Sequence, residues 1–143
     1  MLTPSQLLEK AVIDIMANPK YAPLRSALMV GTRKVDDEIP TACTNGRDET
    51  YGSEFIESLT TPELRFVILH EVYHKLYRHL ITWRWMYEEN AQLANMACDY
   101  AINIRIADEN KDKFAVMPEC GLMDERFRGM DSAQIYKILK QED

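Results

Sequence analysis

Two histidines four residues apart, inside the largely apolar stretch Thr61–Trp85, constrain this 143-residue sequence more than any other feature. His70, Glu71 and His74 form the pattern H-E-x-x-H. On a helix, residues four apart lie on one face, so both imidazoles can bind one metal ion while Glu71 lies beside it. A zinc ion held in this way keeps one position open for water, and the nearby carboxylate can accept that water's proton. The pattern therefore predicts a buried helix that carries a zinc site.

The residues around this pattern distinguish a metal site from a chance occurrence on a solvated helix. Residues 67–69, 72, 73 and 76 are apolar or aromatic, as expected for a buried helix. The three histidines of the chain, at positions 70, 74 and 79, lie close together in the sequence. Lys75 is unusual, because zinc-peptidase helices commonly carry an uncharged residue there. The apolar surroundings favour the metal site.

The third protein ligand has two candidates. On a helical wheel of about 100° per residue, His79 lies near 180° from His70 and faces away from the predicted metal. The next predicted helix, over residues 89–108, carries Asp99 among apolar residues. A buried carboxylate is costly unless it binds a cation. Asp99 is therefore the predicted third ligand, and His79 is the alternative.

Two asparagines share the helix face of Asp99, because Asn95 and Asn103 lie four residues before and after it. They are expected to hydrogen-bond the metal ligands and fix their orientation. Cys98 is a weaker ligand candidate, because it points about 100° away from Asp99. The competing interpretation is that Asp99 pairs with an arginine, and the candidates are Arg65, Arg78 and Arg105.

The remaining segments predict an α+β domain spanning residues 1–143. Thr3, Pro4 and Gln6 form the start signal of a helix. Asn45-Gly46 favours two positive φ angles and so a β-hairpin. The predicted elements are a helix over 4–17, a strand over 24–30, a hairpin of 41–44 with 48–51, a short helix over 53–59, an irregular connection over 110–130 and a helix over 132–140.

Composition narrows the classes of partner and compartment. The formal net charge is −6 and no dense basic cluster occurs, which argues against nucleic-acid binding. No apolar run of membrane-spanning length and no signal-peptide pattern is found, so we expect no membrane association and a cytoplasmic location. The cysteines at positions 43, 98 and 120 lack the spacing of a zinc knuckle and are expected to be reduced thiols.

The sequence resembles the metallopeptidase-like domain that often precedes a von Willebrand A-like domain in bacterial proteins and also occurs alone in phages. Asn45 stands where that family often has aspartate, and the chain is expected to be a stand-alone version. The resemblance implies a zincin-like fold, with a small sheet whose edge strand pairs with an extended peptide. It is carried by Thr44-Asn45-Gly46, Phe55, Leu59, His70-Glu71-Val72-Tyr73-His74, His79, Arg84, the segment Ala97–Asn103 and the segment from Met117-Pro118 to Ile135-Tyr136.

Together these observations predict a zinc-dependent hydrolase of protein or peptide substrates. Zn²⁺ would be held by His70, His74 and Asp99, with Glu71 as the general base. Two alternatives stay open: a non-catalytic zinc-containing module for protein binding or regulation, and a zinc-dependent processing factor acting on DNA-bound protein. No feature of the sequence predicts the oligomeric state. Candidate donors to the reacting carbonyl oxygen are Tyr73, Tyr77 and Tyr100.

Overall fold

The structure is a computed structural model that describes the backbone of residues 1–79 and 81–142, and their side chains except at 77–79, 81 and 82. The described chain has the predicted α+β architecture, which combines helices with one small three-stranded sheet. The helices are α1 (Pro4–Ala17), α2 (Arg25–Met29), α3 (Ser53–Ser58), α4 (Thr61–His79), α5 (Ile81–Glu89), α6 (Ala91–Glu109) and α7 (Ser132–Glu142). The strands are β1 (Arg33–Asp36), β2 (Ala42–Thr44) and β3 (Glu49–Gly52).

Helix α1 begins and ends as its sequence signals predict. Thr3 and Gln6 form a reciprocal capping box, with hydrogen bonds of 2.9 and 3.2 Å. Pro4 occupies the first turn, where its missing N–H has no intrahelical partner to lose. The buried face of α1 carries Leu8, Ala11 and Ile15.

The strand predicted over residues 24–30 is wrong. The chain forms a 3₁₀ helix over Pro19–Leu24 and then α2. Leu24 and Leu28 are buried four residues apart, which is the spacing of a helix face rather than the alternation of a strand. A short apolar run fits either type of element, and its packing here selects the helix.

The sheet has the order β1-β3-β2, with β1 parallel and β2 antiparallel to the central β3. The predicted hairpin is therefore confirmed as β2 and β3. Its turn differs from the expectation, because only Gly46 has a positive φ angle, of 96°. Asn45 acts through its side chain instead: its Oδ1 accepts hydrogen bonds from the backbone N–H groups of Arg47 and Asp48, at 2.9 and 2.8 Å.

Helix α4 is the central element of the core. Thr60 and Glu63 cap its start with a reciprocal pair of hydrogen bonds, at 2.9 and 3.3 Å. The apolar stretch Thr61–Trp85 of the sequence includes Leu80, which lies outside the described residues. The core residues of α4 are Leu64, Phe66, Val67, Ile68, Leu69, Val72 and Tyr73.

Helices α6 and α7 pack together against the core. Helix α6 starts two residues later than predicted, after Asn90, whose side chain caps it by accepting a hydrogen bond from the backbone N–H of Leu93 at 3.1 Å. Helix α7 buries Ile135 and Tyr136, which dock it on the core. Among the helices of the described chain, none combines the length and apolar character needed to cross a bilayer.

A buried group of charged and polar side chains joins α4 to the sheet, and we call it the lysine cluster: Lys75, Glu49, Arg33 and Tyr51. The side chains of Lys75 and Glu49 are 2% and 1% exposed, and their Nζ and Oε2 atoms lie 2.6 Å apart. Arg33 donates two hydrogen bonds to the same carboxylate, at 2.9 and 3.0 Å, and the Tyr51 hydroxyl donates another. The lysine that is unusual at this helix position thus has an anionic partner in β3.

Candidate metal centre

Three side chains from α4 and α6 converge at one point, and we call them the histidine cluster: His70, His74 and Asp99. The two histidine Nε2 atoms are 3.0 Å apart. Asp99 Oδ1 lies 2.5 Å from Nε2 of His74 and 3.0 Å from Nε2 of His70. The structure therefore brings together the two histidines of the motif and the carboxylate that the sequence singled out on α6.

The donor atoms of the histidine cluster fit a divalent metal ion. Two imidazole nitrogens and one carboxylate oxygen form the type of set that holds catalytic zinc and leaves one coordination position open. Ligand atoms around a tetrahedral ion, at bond lengths of about 2.0–2.1 Å, lie about 3.4 Å apart. The observed separations are 2.5–3.0 Å, so the donor atoms need to move apart by less than about 1 Å to admit an ion.

Glu71 lies beside the two histidines of the motif. Its side chain is buried, and the potential ligand atoms of His70, Glu71 and His74 all lie within 4.8 Å of one another. Asp99 Oδ1 lies within 3.0 Å of both Nε2 atoms, so these three atoms can converge on one ion. The position of Glu71 suits a base that reaches a water molecule between itself and the metal position.

Asn103 fixes the tautomer of His70. Its Nδ2 donates a hydrogen bond to the backbone carbonyl of Leu122 at 2.8 Å, so its Oδ1 is the atom that faces Nδ1 of His70, at 2.7 Å. Because this oxygen only accepts, Nδ1 of His70 must carry the hydrogen. In the neutral ring, Nε2 then presents its lone pair toward the histidine cluster, as a metal ligand must.

Close contact within the histidine cluster shifts the pKa values of its members. Burial raises the pKa of Asp99, but the hydrogen bonds from His70 and His74 outweigh it and lower that pKa to about 2. Burial lowers the pKa of His70, but its hydrogen bond to Asp99 and the charge of Glu71 raise it overall. The metal-free cluster thus favours a carboxylate beside a protonated imidazole, and a metal ion competes with that proton.

Two of the three arginines considered as partners of Asp99 pair with other carboxylates. Arg65 bonds to a carboxylate of α1 at 2.9 Å, and Arg105 bonds to one of α6 at 3.3 Å. The side chain of Arg78 lies outside the described residues. Cys98 is buried in the hydrophobic core. The contacts of Asp99 in the described chain therefore support its place beside the histidines.

The structure shows the surroundings of two of the tyrosines that are candidate donors to the reacting carbonyl oxygen. The Tyr73 hydroxyl donates its hydrogen to the carboxylate of Glu109, with distances of 3.0 and 3.1 Å to its two oxygens. The Tyr100 ring packs edge-on against an aromatic ring of the 3₁₀ turn Glu125–Phe127. The side chains of Tyr77 and His79, the alternative third ligand, lie outside the described residues.

A polar cavity of about 180 Å³ adjoins the histidine cluster, and Asn95 lines it. In the described part of the chain, the Asn95 side chain makes no hydrogen bond to Asp99 or to either histidine, in contrast to Asn103. All three residues of strand β2 also line this cavity. Sequence analysis did not identify the individual strand residues beside the site, because they become neighbours of α4 only through tertiary packing.

Comparison with known protein families identifies the family to which the chain belongs. A family model described as "Putative metallopeptidase domain" matches residues 5–143, which is nearly the whole chain. Comparisons with curated proteins and with solved structures give no match. The family match covers both helices of the histidine cluster and the strand beside it.

Proposed function

We propose, from the premise that the chain belongs to this family of metallopeptidase domains, that it is a zinc-dependent peptide hydrolase. The observation that carries the proposal is the convergence of His70, His74 and Asp99, with all three donor-atom separations at or below 3.0 Å. Glu71 lies beside these residues in a buried position. This arrangement provides metal ligands and a general base in one place, which is what hydrolysis of an unreactive amide requires.

Each residue of the site has a distinct chemical role in this proposal. His70, His74 and Asp99 would hold the ion, and zinc supplies Lewis acidity that activates water and polarises a carbonyl group. Glu71 accepts the proton that the attacking water loses, and it then donates this proton to the nitrogen of the leaving amine. Asn103 keeps the His70 ring in the orientation and tautomer that its role requires.

The position of strand β2 supports an extended peptide as the substrate. The sheet order places β2 at an edge, and its residues line the cavity beside the histidine cluster. An edge strand presents backbone N–H and C=O groups that can pair with a second extended chain. A peptide bound in this way would run past Glu71 with its backbone already aligned.

The decisive experiment replaces the general base while keeping the metal. Glu71→Gln should retain about one zinc ion per chain, because Glu71 is not a ligand, and should lower peptide cleavage by about 10²–10⁴-fold. Glu57→Gln, at an exposed position on α3, is the matched control and should cleave like the wild type. Metal analysis and mass spectrometry of a digested peptide library provide the two measurements.

The possible results separate the proposed enzyme from its alternatives. Cleavage by Glu71→Gln at the wild-type rate would rule out Glu71 as the base. A wild-type protein that binds zinc but cleaves no peptide would instead favour the non-catalytic binding module. Wild-type activity that a chelator removes and zinc restores would support the hydrolase.

A further inference from the structure

A cavity of about 220 Å³ adjoins the histidine cluster, and we call it the apolar cavity. On one side it is lined by His70, Glu71 and Asp99, the residues to which the proposed function assigns chemistry. The other side is built from α3, α4 and the loop before α7. Its apolar lining residues are Phe55, Phe66, Val67, Pro118 and Leu122.

Two of the apolar lining residues, Phe66 and Val67, are on the same helix as His70 and Glu71. Phe66 lies four residues before His70, and Val67 lies four residues before Glu71, so each pair is stacked one turn apart on α4. Both Phe66 and Val67 are buried, which fixes their side chains in the core. The rise of one helix turn therefore sets the distance from these two apolar residues to His70 and Glu71.

The opposite wall, the loop Met117–Leu122, is held in place by several contacts. The Leu122 carbonyl accepts a hydrogen bond from Asn103 at 2.8 Å, and Gly121 N–H donates one to the Pro118 carbonyl at 3.0 Å. A Cβ atom at Gly121 would lie 2.6 Å from Cγ of Met117, so the loop packs too tightly there for a side chain. The cavity is thus already formed before any ligand enters.

Size and charge restrict what this cavity can hold. Its volume of about 220 Å³ is below the range of roughly 300–1,000 Å³ typical of small-molecule sites, and it suits a single large side chain better than a cofactor. An acidic side chain would lose its hydration against the apolar lining without gaining a partner of opposite charge there, which costs free energy. No lysine or arginine lines the cavity among the described residues.

We infer that the apolar cavity binds one large apolar side chain, such as leucine or phenylalanine, from a peptide that lies along β2. In the peptide this residue adjoins the bond that is cut, an assignment that rests on the proposed function. Binding of the side chain itself needs no catalysis, because the apolar surface of the cavity supplies the favourable free energy. The cavity therefore selects substrates by one residue and excludes acidic residues at that position.

The test measures binding by zinc-loaded Glu71→Gln, in which bound peptides stay intact. Fluorescently labelled alanine pentapeptides carry leucine, phenylalanine or aspartate at each position in turn, with the all-alanine peptide as reference. At one position, leucine or phenylalanine should bind about tenfold or more tightly than alanine, and aspartate should bind more weakly. Equal binding of all peptides, or no measurable binding of any, would overturn the inference.

Variants of the cavity wall connect this preference to the structure. Phe55→Ala, at a partly buried position, should reduce the preference for leucine and phenylalanine, and Thr41→Trp should fill the cavity and remove it. Trp85→Ala is the control, because Trp85 is 42% exposed and packs on Tyr136. A preference that survives both Phe55→Ala and Thr41→Trp, in proteins with normal circular dichroism, would place the recognised side chain elsewhere.

Cleavage by the wild-type protein separates this inference from the proposed function. If the wild type cleaves nothing while the apolar preference is present in binding, the hydrolase fails and the cavity assignment stands. If it cleaves peptides without any preference for an apolar residue next to the cut bond, the hydrolase stands and the cavity assignment fails.

Discussion

The histidine cluster and the lysine cluster include adjacent residues of α4, His74 and Lys75, yet they differ in how their charges are balanced. In the lysine cluster, Glu49 is in direct contact with the cations Lys75 and Arg33. In the histidine cluster, two imidazoles face the single carboxylate of Asp99. Its three donor atoms can be satisfied together only by a proton or a metal ion.

This difference indicates separate roles for the two clusters. In a buried ion pair with additional hydrogen bonds, the opposite charges compensate each other within the protein. Such a pair fixes two elements against each other. A converging set of two imidazole nitrogens and one carboxylate oxygen instead supplies lone pairs that a metal ion can bind. We therefore assign the lysine cluster to holding α4 against the sheet and the histidine cluster to metal binding, and four predictions examine this division.

The largest expected effect is the loss of metal on removal of a ligand. His74→Ala should abolish stoichiometric zinc binding, because two donors remain where catalytic sites use three. Lys75→Met, one residue along the chain, should retain about one zinc ion per chain. Metal analysis of the two purified proteins provides the comparison. Full zinc content in His74→Ala would contradict the ligand assignment, and zinc loss in folded Lys75→Met would erase the distinction between the clusters.

The second prediction concerns folding stability, to which the lysine cluster is expected to contribute more than the histidine cluster. Lys75→Met removes one cation from the buried carboxylate of Glu49 and should lower the free energy of unfolding by about 3 kcal/mol. This is the lower end for a broken buried pair, because Arg33 and Tyr51 still contact Glu49. Lys10→Met, which breaks an exposed pair on α1, is the control and should cost less than about 1 kcal/mol.

Denaturant unfolding of the metal-free proteins measures both values. In the double variant Lys75→Met/Glu49→Gln, Arg33 also loses its carboxylate partner, so the free energy of unfolding should fall below that of Lys75→Met. Equal stabilities of Lys75→Met and Lys10→Met would show that the buried ion pair does not hold α4 to the sheet.

Much of this organisation was visible in the sequence, because it depends on local signals. Helical periodicity alone places His70 and His74 on one face of a helix, and it identifies Asp99 as a polar residue inside an apolar helix. The start of α1 and the hairpin follow from capping and turn chemistry. Local patterns of this kind identify which residues face one another along one element.

The features that sequence analysis missed depend on tertiary packing. The segment 24–30 has an apolar composition that suits a strand or a helix, and contacts with the rest of the core decide for α2. Lys75 was noticed as unusual, but its partner Glu49 is 26 residues away in a strand. No local rule pairs two such residues, so the lysine cluster could not be predicted.

The third prediction examines the hydrogen bond by which Asn103 orients the His70 ring of the histidine cluster. Asn103→Ala should weaken zinc affinity by about 10–100-fold, because His70 Nδ1 loses its hydrogen-bond acceptor. Asn103→Asp keeps an acceptor facing His70 and should retain higher affinity than Asn103→Ala. Competition with a chelator of known affinity gives the values, and circular dichroism checks the fold. Unchanged affinity in Asn103→Ala would show that the hydrogen bond does not orient the ring.

The smallest effect is expected at Asn95, on the same face of α6 as Asn103 and one turn before Asp99 rather than one turn after it. The sequence predicts similar roles for the two asparagines, but in the described structure only Asn103 hydrogen-bonds a histidine of the cluster. Asn95 lines the polar cavity. Asn95→Ala should therefore change zinc affinity by less than about threefold, well below the effect of losing a hydrogen-bonded partner.

Asn95→Ala also gives the closest control for Asn103→Ala, because both replace asparagine by the residue that best favours a helix. The same chelator competition applies to both proteins. A loss of tenfold or more in Asn95→Ala would mean that Asn95 contacts a ligand once the metal is bound. In that case an asparagine one turn before Asp99 and another one turn after it would both support the histidine cluster. Like the lysine cluster, the histidine cluster would then depend on several surrounding polar groups.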